Sequence, residues 1–386
     1  MRSIALKMLT GDRGKYLGII FGLAFASFLI TQQMAIFMGL MTRTYGFITD
    51  AGLADVWVMD AKVDFVDDIK PLQDTQLYRV RGVEGVEWAV PLYRGFLRTR
   101  MENGSFQTCI IVGLDDATLI GGPATMLEGR LEDLRRNEGV IVDESAARGH
   151  LAHPPEVPGG PRRPLRVGDF LEINDHRGIV VGLCRASRTL MANPLLYTTY
   201  SRATAFAPHE RKLLSFVLVK GKPGTDAEAL CRRIGAVTGL KALPRARFED
   251  DTVMYWMRNT GIPINFGMAV VLGFIVGTAI AGQTFYNFTA ENLRHFAALK
   301  AMGATNARLF GMVALQALVV GAIGLGLGVG AAALFGRLTS GTNLAFRLPW
   351  QVLASAVGAI AVIVVFAAFL SIRKVMKLEP AMVFKS

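Results

Sequence analysis

The sequence predicts an α-helical membrane protein with four transmembrane helices, both termini in the cytoplasm, and a large extracytoplasmic mixed α/β domain inserted between helices 1 and 2. The main observation is the presence of four long runs that contain no Asp, Glu, Lys or Arg. These runs are Tyr16–Thr42, Asn259–Ala290, Leu309–Gly336 and Leu348–Ile372. Each is longer than the roughly 20 apolar residues that a helix needs to cross a bilayer.

The overall composition supports a membrane protein, because 52% of the 386 residues are hydrophobic and only 19% are charged. The net charge of +11 does not indicate nucleic-acid binding. Residues 43–260 hold 29 basic and 28 acidic side chains, so the positive excess lies beside the uncharged runs. The sequence therefore predicts the lipid bilayer, and no nucleic acid, as a partner.

The basic residues also predict the orientation, because short loops rich in Lys and Arg stay in the cytoplasm. Lys7 and Lys15 precede the first run, Arg294 and Lys300 lie between the second and third, and Arg373 follows the fourth. All three segments are cytoplasmic if the chain crosses four times. The region between the first and second runs is then outside, in the periplasm of a bacterium whose inner membrane holds the chain.

These considerations predict the following order of segments along the chain. They are a cytoplasmic interfacial helix (1–15), the first span (16–42), the extracytoplasmic domain (43–260), the second span (261–288), a cytoplasmic loop with a coupling helix (289–308), the third span (309–336), an external loop (337–349), the fourth span (350–372) and a cytoplasmic tail (373–386).

The extracytoplasmic region reads as two small α/β lobes with a β-rich insertion at about 101–211. Residues 54–59 and 86–100 have strand patterns, with a helix-like piece at 73–80 between them. The pattern recurs near the end of the region, where a strand at 214–219 precedes a helix. Thr225 to Glu228 has the sequence of a capping box for that helix, and Gly239 ends it.

The insertion holds two strand patterns, at 167–173 and 178–183, and a proline-rich stretch at 150–164 that predicts an exposed loop. His150 and His153 lie in this stretch and are expected to be surface histidines. Three cysteines occur in the whole chain: Cys109, Cys184 and Cys231. An odd number argues against a disulfide framework, so we expect them to be buried as small hydrophobic residues.

The loop between the second and third spans predicts a short cytoplasmic helix at 293–302. Gly303 fits a helix C-terminus, and Thr305 can cap the helix that follows. We expect Phe296 and Leu299 to form an exposed apolar knob, with Arg294 and Lys300 in solvent, that docks in a groove of a partner. An interfacial linker helix without a partner is the alternative.

The segment Arg294-His-Phe-Ala-Ala-Leu-Lys-Ala-Met-Gly-Ala304 resembles the Arg-Glu-Ile-Gly-x-Leu-Arg-Ala-Leu-Gly-Ala segment of the MacB/FtsX-type (type VII) ABC transporter permeases, and it is closest to the DevC-like branch. Two weaker resemblances are Ala5-Leu-Lys-Met-Leu9, which is similar to an N-terminal family segment, and Leu378-Glu-Pro-Ala381, which is similar to a closing one. The family usually has Glu where this chain has His295.

This resemblance implies a permease subunit that works as a homodimer with a dimer of cytoplasmic ABC ATPases. The coupling residues carried over from it are Arg294, His295, Phe296, Leu299, Lys300, Met302 and Gly303. It further implies mechanotransmission, efflux of a small molecule, lipid or haem-like cargo, a membrane-fusion adaptor and an outer-membrane channel. An FtsX-like regulator of periplasmic enzymes and a LolC/E-like lipoprotein extractor are the alternatives.

The sequence predicts no catalytic residues, no metal site and no cofactor in this chain. It contains no Gly-x4-Gly-Lys-Ser/Thr loop to cradle phosphates, so ATP and Mg are expected on the partner ATPase. Polar residues inside the first span need partners. Gln32, Gln33, Met34 and Met38 are therefore candidates for helix packing, for dimer contact or for cargo contact.

Overall fold

The computed structural model describes residues 2–11, 13–101, 103–155, 160–208 and 214–376. The chain divides into two compact units. One unit contains Met1–Leu40 and Thr260–Ser386, and the other contains Met41–Asn259. We call them the membrane unit and the extracytoplasmic unit.

The helices of the described residues are numbered in chain order. They are α1 (Arg2–Gly11), α2 (Arg13–Asp50), α3 (Thr75–Arg81), α4 (Glu144–Arg148), α5 (Tyr200–Phe206), α6 (Ala227–Thr238), α7 (Arg245–Asn259), α8 (Ile262–Glu291), α9 (Leu293–Ala301), α10 (Asn306–Leu338) and α11 (Trp350–Met376), with a short 3₁₀ helix at Leu131–Arg135.

The strands are numbered in the same way. They are β1 (Val56–Met59), β2 (Val86–Arg100), β3 (Phe106–Leu114), β4 (Thr125–Glu128), β5 (Gly139–Asp143), β6 (Phe170–Ile173), β7 (His176–Arg185), β8 (Leu195–Thr199), β9 (Phe216–Gly221) and β10 (Lys241–Pro244).

Four helices of the described chain are long and apolar enough to cross a membrane, as the uncharged runs predict. They are α2, α8, α10 and the part of α11 up to Arg373. The helices extend beyond the uncharged runs. For example, α2 begins at Arg13 and ends at Asp50, because polar residues outside the hydrocarbon region can continue a helix. The Leu378–Ala381 segment lies outside the described residues.

Close helix packing in the membrane unit depends on glycines of α8 and α10. A Cβ built on Gly328 would lie 2.5 Å from the backbone oxygen of Ala24, and one on Gly277 would lie 2.4 Å from the Cβ of Ala26. Small residues at such positions let two helices approach closely. These α8 and α10 glycines therefore pack against α2 of the same chain, whereas Gly326 has open space around it.

The extracytoplasmic unit is built on a sheet with the strand order β10-β1-β9-β2-β3-β8-β5-β7-β4, and β6 pairs with both β2 and β7. The long strand β2 joins two lobes. Its first half pairs with β9 and its second half pairs with β3. Lobe 1 comes from both ends of this unit's sequence, and lobe 2 is formed by the β-rich segment inserted between them.

The strands expected in both lobes are present, as are α3, α6 and β10. The cap of α6 differs from the expectation, since the N-cap is Asp226 rather than Thr225. The Asp226 carboxylate accepts a hydrogen bond from the backbone N of Ala229 at 2.9 Å, which is the bond that a capping side chain supplies. Gly239 ends the helix as predicted, with a φ of 73° in the left-handed region.

The core of lobe 1 is aromatic and includes one buried charge. The Trp57 ring contacts Phe216 and Phe248 at centroid distances of 5.4 and 5.6 Å. Arg94 is buried, pairs with Asp67, and lies 4.5 Å above the Phe47 ring. Because Phe47 belongs to α2, these contacts join the end of that helix to the lobe.

The proline-rich stretch contains one residue that the sequence places wrongly. His153 is only 7% exposed, and its Nε2 lies 3.0 Å from Asp169 Oδ2, so it is not a surface histidine. Its backbone pairs with that of Arg163, which folds the described parts of the stretch back on themselves. The three cysteines are buried and free, as expected. Among the described residues, no cluster of His, Cys, Asp or Glu could hold a metal ion.

Candidate functional site

The candidate site is the segment between α8 and α10, where α9 lies. Helix α8 ends at Glu291, and the Asn292 side chain donates to the Phe288 carbonyl oxygen at 2.9 Å. Helix α9 then covers Leu293–Ala301 and is followed by Gly303, whose φ of 92° requires a residue without a side chain. The predicted short helix and its glycine stop are therefore both present.

The inner face of α9 belongs to the core of the membrane unit. Phe296 is 0% exposed and Ala297 is also buried. Both are apolar and they lie three and four positions after Leu293, which packs against the same core, so they share one helix face. The buried cluster around Phe296 includes Phe288 of α8 and Met312 of α10.

The expectation that Phe296 and Leu299 form an exposed knob is therefore wrong. Phe296 is fully buried, and Leu299 is half-buried against the same core. The physical reason is that a nine-residue helix cannot hold a position by itself and must bury an apolar face. Phe296 supplies the largest part of that face, which stabilises the arrangement by about 1.5–3 kcal/mol.

The outer face of α9 carries different residues. Arg294, His295 and Gly303 are exposed, and Met302 is 75% exposed. Lys300 is half-buried. Arg294, Ala298 and Met302 follow one another at intervals of four, so they form one stripe along the helix. The stripe combines a cation at one end with a flexible apolar side chain at the other.

Two further contacts hold the surroundings of α9, and no sequence pattern predicts either pair of partners. Lys15 of α2 forms an ion pair with Glu291 at the end of α8. The Gln316 amide of α10 donates to the Ala5 carbonyl oxygen of α1 at 2.8 Å, in a buried position. Partners more than 250 residues apart cannot be paired from spacing along the chain.

The candidate residues of α2 form a separate group, far from α9 in the sequence. Gln32, Gln33, Met34 and Met38 are half-buried. The Ser355 hydroxyl of α11 lies 3.2 Å from the Met34 sulfur, so Met34 packs within the chain. Dimer contact or cargo contact by these four residues stays a prediction.

Comparison with known proteins identifies the family. A family model described as MacB-like periplasmic core domain matches residues 17–237, and one described as FtsX-like permease C-terminal matches residues 267–380. Two curated relatives are uncharacterized ABC transporter permeases of Mycobacterium tuberculosis, from strains CDC 1551 / Oshkosh and ATCC 25618 / H37Rv. Each is 26% identical over 316 residues, which are 81% of this chain and 79% of the relative.

Two solved structures are also similar to the chain. The periplasmic region of MacB from Actinobacillus actinomycetemcomitans is 17% identical, with a TM-score of 0.37 over 54% of this chain and 94% of that one. The extracellular domain of the noncanonic ABC-type transporter YknZ from Gram-positive bacteria is 10% identical, with a TM-score of 0.35 over 49% of this chain and 98% of that one.

The match to the periplasmic core domain alone spans more than half of the chain, and the permease match covers α9, α10 and α11. The four apolar helices agree with a multi-pass location in the inner membrane, and the extracytoplasmic unit is then periplasmic. The chain belongs to the MacB/FtsX-type ABC transporter permeases.

Proposed function

We propose that this permease is the membrane subunit of an exporter in which ATP hydrolysis on a separate ATPase is converted into movement of the periplasmic domain. The ATPase would bind ATP and Mg, and this chain would supply no catalytic group. The observation that supports the proposal is the two-faced character of α9. Its inner face is fixed by Phe296, and its outer face presents Arg294, His295 and the exposed Met302.

A rigid helix with one exposed apolar anchor is suited to docking in a groove of a partner protein. Methionine is flexible and polarizable, so it fits an apolar pocket of irregular shape. Burying its side chain contributes about 1.5–3 kcal/mol, which corresponds to roughly a tenfold to hundredfold change in affinity. The positive charge of Arg294 would favour an acidic rim around that pocket.

The experiment that tests this role is Met302→Asp in the full-length permease, coexpressed with a candidate ABC ATPase subunit. We expect at least tenfold weaker copurification of the ATPase, because a charge would have to enter an apolar pocket. Met191→Asp is the matched control, since Met191 is 74% exposed but lies in the extracytoplasmic unit. Unchanged ATPase binding by the Met302 variant would refute the docking role.

We further propose that two copies of the chain form the functional unit, with α2 and α8 near the dimer contact. Helix α8 leaves Ile264, Met268 and Leu272 more than half exposed, and α2 leaves Phe21 exposed. Cysteine cross-linking in membranes tests this arrangement. Leu272→Cys should form a covalent dimer, whereas Leu334→Cys, which is similarly exposed on α10, should not. Cross-linking of Leu334→Cys without cross-linking of Leu272→Cys would reject the placement of α8 at the dimer contact.

For the cargo path, we propose efflux of a small molecule, lipid or haem-like compound through a periplasmic adaptor and an outer-membrane channel. The periplasmic unit, Met41–Asn259, is large enough to offer an adaptor a broad surface. Purification of the permease from cross-linked cells tests the assembly. Recovery of a membrane-fusion adaptor supports efflux, whereas recovery of a cell-wall hydrolase or a lipoprotein carrier instead supports one of the two alternatives.

A further inference from the structure

A row of four residues crosses four neighbouring strands in lobe 2. Phe106 of β3 lies opposite Arg100 of β2, Arg100 lies opposite Glu172 of β6, and Glu172 lies opposite Arg177 of β7. Residues that lie directly opposite each other project from the same face of a sheet. The register therefore brings two arginines to one face, with one glutamate between them.

Ion pairs hold both arginines in place. The Arg100 Nη1 lies 3.5 Å from Glu172 Oε1, and the Arg177 Nε lies 3.4 Å from Glu138 Oε2. Each of these ion pairs engages one nitrogen of a guanidinium group that carries five N–H donors. The two side chains are 54% and 57% exposed, so their other donors can meet a ligand.

An aromatic ring lies beside this row. Phe170 is two residues before Glu172 on β6 and therefore projects from the same face. The Arg177 guanidinium lies 4.0 Å above the centre of the Phe170 ring. Phe170 is nevertheless 57% exposed, so part of its ring surface is open to a ligand.

Arg100, Glu172, Arg177 and Phe170 line a groove of about 560 Å³, a volume within the range of sites for small ligands. Its apolar wall includes Leu151 and Leu165, which are buried, and Met101. The arginine row forms the polar wall. The groove therefore has an apolar side and a cationic side at the same opening.

The groove also has polar residues outside the arginine row. His153 lines it from a buried position, held by its bond to Asp169. Asp169 in turn accepts a hydrogen bond from the Arg166 backbone N at 2.8 Å, which fixes that wall. Asp175, from the turn between β6 and β7, and His176, the first residue of β7, complete the rim.

We propose that this groove binds a small amphipathic organic anion. The flat apolar part of the ligand lies against Phe170 and the leucines, and its carboxylate, sulfonate or phosphate accepts hydrogen bonds from Arg100 and Arg177. Guanidinium groups suit these anions because their donors match two acceptor oxygens at once. Glu172 and Glu138 each pair with one of the two arginines, so an anion would meet the row through the guanidinium donors that these carboxylates leave unengaged.

The test uses 2-naphthalenesulfonate as the probe and the full-length permease in phosphatidylcholine nanodiscs, without the ATPase. Calorimetric titration should show saturable binding beyond that of empty nanodiscs. The uncharged 2-naphthalenesulfonamide should bind about tenfold more weakly, because a hydrogen bond to a charged group contributes about 1.5–3 kcal/mol. Equal affinity for the two probes would overturn the role of the arginines.

Two variants locate the binding. Phe170→Ala should weaken both probes, whereas Arg177→Gln should weaken the sulfonate and leave the sulfonamide nearly unchanged. Tyr78→Ala is the matched control, because Tyr78 is also exposed and also carries an arginine, Arg81, at 5.8 Å over its ring, but it lies in lobe 1. Absence of saturable binding, or equal loss in the Tyr78 variant, would reject the site.

Discussion

Asp50, the last residue of α2, accepts two hydrogen bonds from Ser187, one from the backbone N at 2.6 Å and one from Oγ at 2.9 Å. Ser187 lies in the connection between β7 and β8. The preceding backbone N, of Ala186, donates to Asp143 Oδ1 at 3.1 Å. Two carboxylates from different elements therefore hold this connection, and one of them belongs to the helix that continues from the first span.

Asp50→Ala should loosen the β7–β8 connection. The substitution leaves the Ser187 donors without their acceptor, and an unsatisfied, partly buried donor costs about 1–3 kcal/mol. We expect faster hydrogen exchange of the amides between Arg185 and Pro194, by roughly tenfold to hundredfold, measured by mass spectrometry on the full-length protein.

Asp55→Ala is the control for this prediction. Asp55 pairs with Lys220 at 2.8 Å, and both side chains are 40% exposed. Such surface pairs contribute about 0–1 kcal/mol, so exchange elsewhere in the unit should change little. Equal exchange of the 185–194 amides in the Asp50 variant and the native protein would show that the carboxylate does not hold the connection.

Gly328→Ala should separate α10 from α2. A Cβ at this position would lie 2.5 Å from the Ala24 carbonyl oxygen and 2.7 Å from the Phe28 backbone N, and backbone atoms cannot rotate away. We expect a destabilisation of about 1–3 kcal/mol from overpacking. The measurement is the midpoint of unfolding in detergent, monitored by tryptophan fluorescence or determined by SDS titration.

Gly326→Ala on the same helix provides the comparison. A Cβ there meets nothing within 4 Å in this chain, and alanine favours a helix by about 1 kcal/mol over glycine. This variant should therefore be as stable as the native protein or more so. A larger loss for Gly326→Ala than for Gly328→Ala would mean that the glycines serve a contact between subunits instead.

The sequence predicted the elements of this fold better than their contacts. A long run without charged residues predicts a membrane span, and a short apolar run rich in β-branched residues predicts a strand such as β7, because both signals depend on neighbouring residues. The cap of α6 is Asp226 rather than the predicted Thr225, because both residue types are favourable N-caps and the sequence places them side by side. Pairs such as Asp50 and Ser187 depend on tertiary packing and leave no local pattern.

The candidate site shows the same division. Helix α9 and the stop at Gly303 follow from local propensity, and the family resemblance located the segment. The prediction that the Phe296 side chain is exposed was wrong, because a single apolar residue on a short helix can face either a partner or the core of its own chain. The spacing of three and four residues from Leu293 to Phe296 and Ala297 is the sequence pattern that indicates a buried face of this helix.

Phe296→Ala should destabilise the membrane unit, whereas Met302→Ala should not. Removing a buried phenylalanine side chain costs about 3–5 kcal/mol, and substitution of an exposed residue changes stability by about 0.5 kcal/mol or less. Phe296→Leu, which keeps most of the buried volume, should recover much of the loss. The measurement is the thermal unfolding midpoint in detergent.

ATPase binding is a second measurement that distinguishes the exposed face of α9 from its buried face. Met302→Ala should weaken copurification while the midpoint stays unchanged. If Phe296→Ala kept a native midpoint and lost ATPase binding, the phenylalanine would be a partner contact and the inner-face assignment would fail.

The three cysteines should resist alkylation in the folded protein. Burial raises the pKa of the Cys109 thiol to about 12, and burial also raises the pKa of Cys231 to about 12. The thiolate is the reactive form, so a pKa raised from 9.0 to about 12 lowers its fraction at pH 8 about a thousandfold. Burial raises the pKa of Cys184 as well.

N-ethylmaleimide labelling followed by mass spectrometry measures this resistance at pH 8. We expect no label on the native chain and three labels in denaturant, because all three thiols are free. Met191→Cys supplies an exposed thiol in the same unit and should react within minutes under native conditions, which shows that the reagent is active. Rapid native labelling of Cys109 would mean that the β2–β3 region opens, because a thiol buried among packed strands reaches the reagent only through local unfolding.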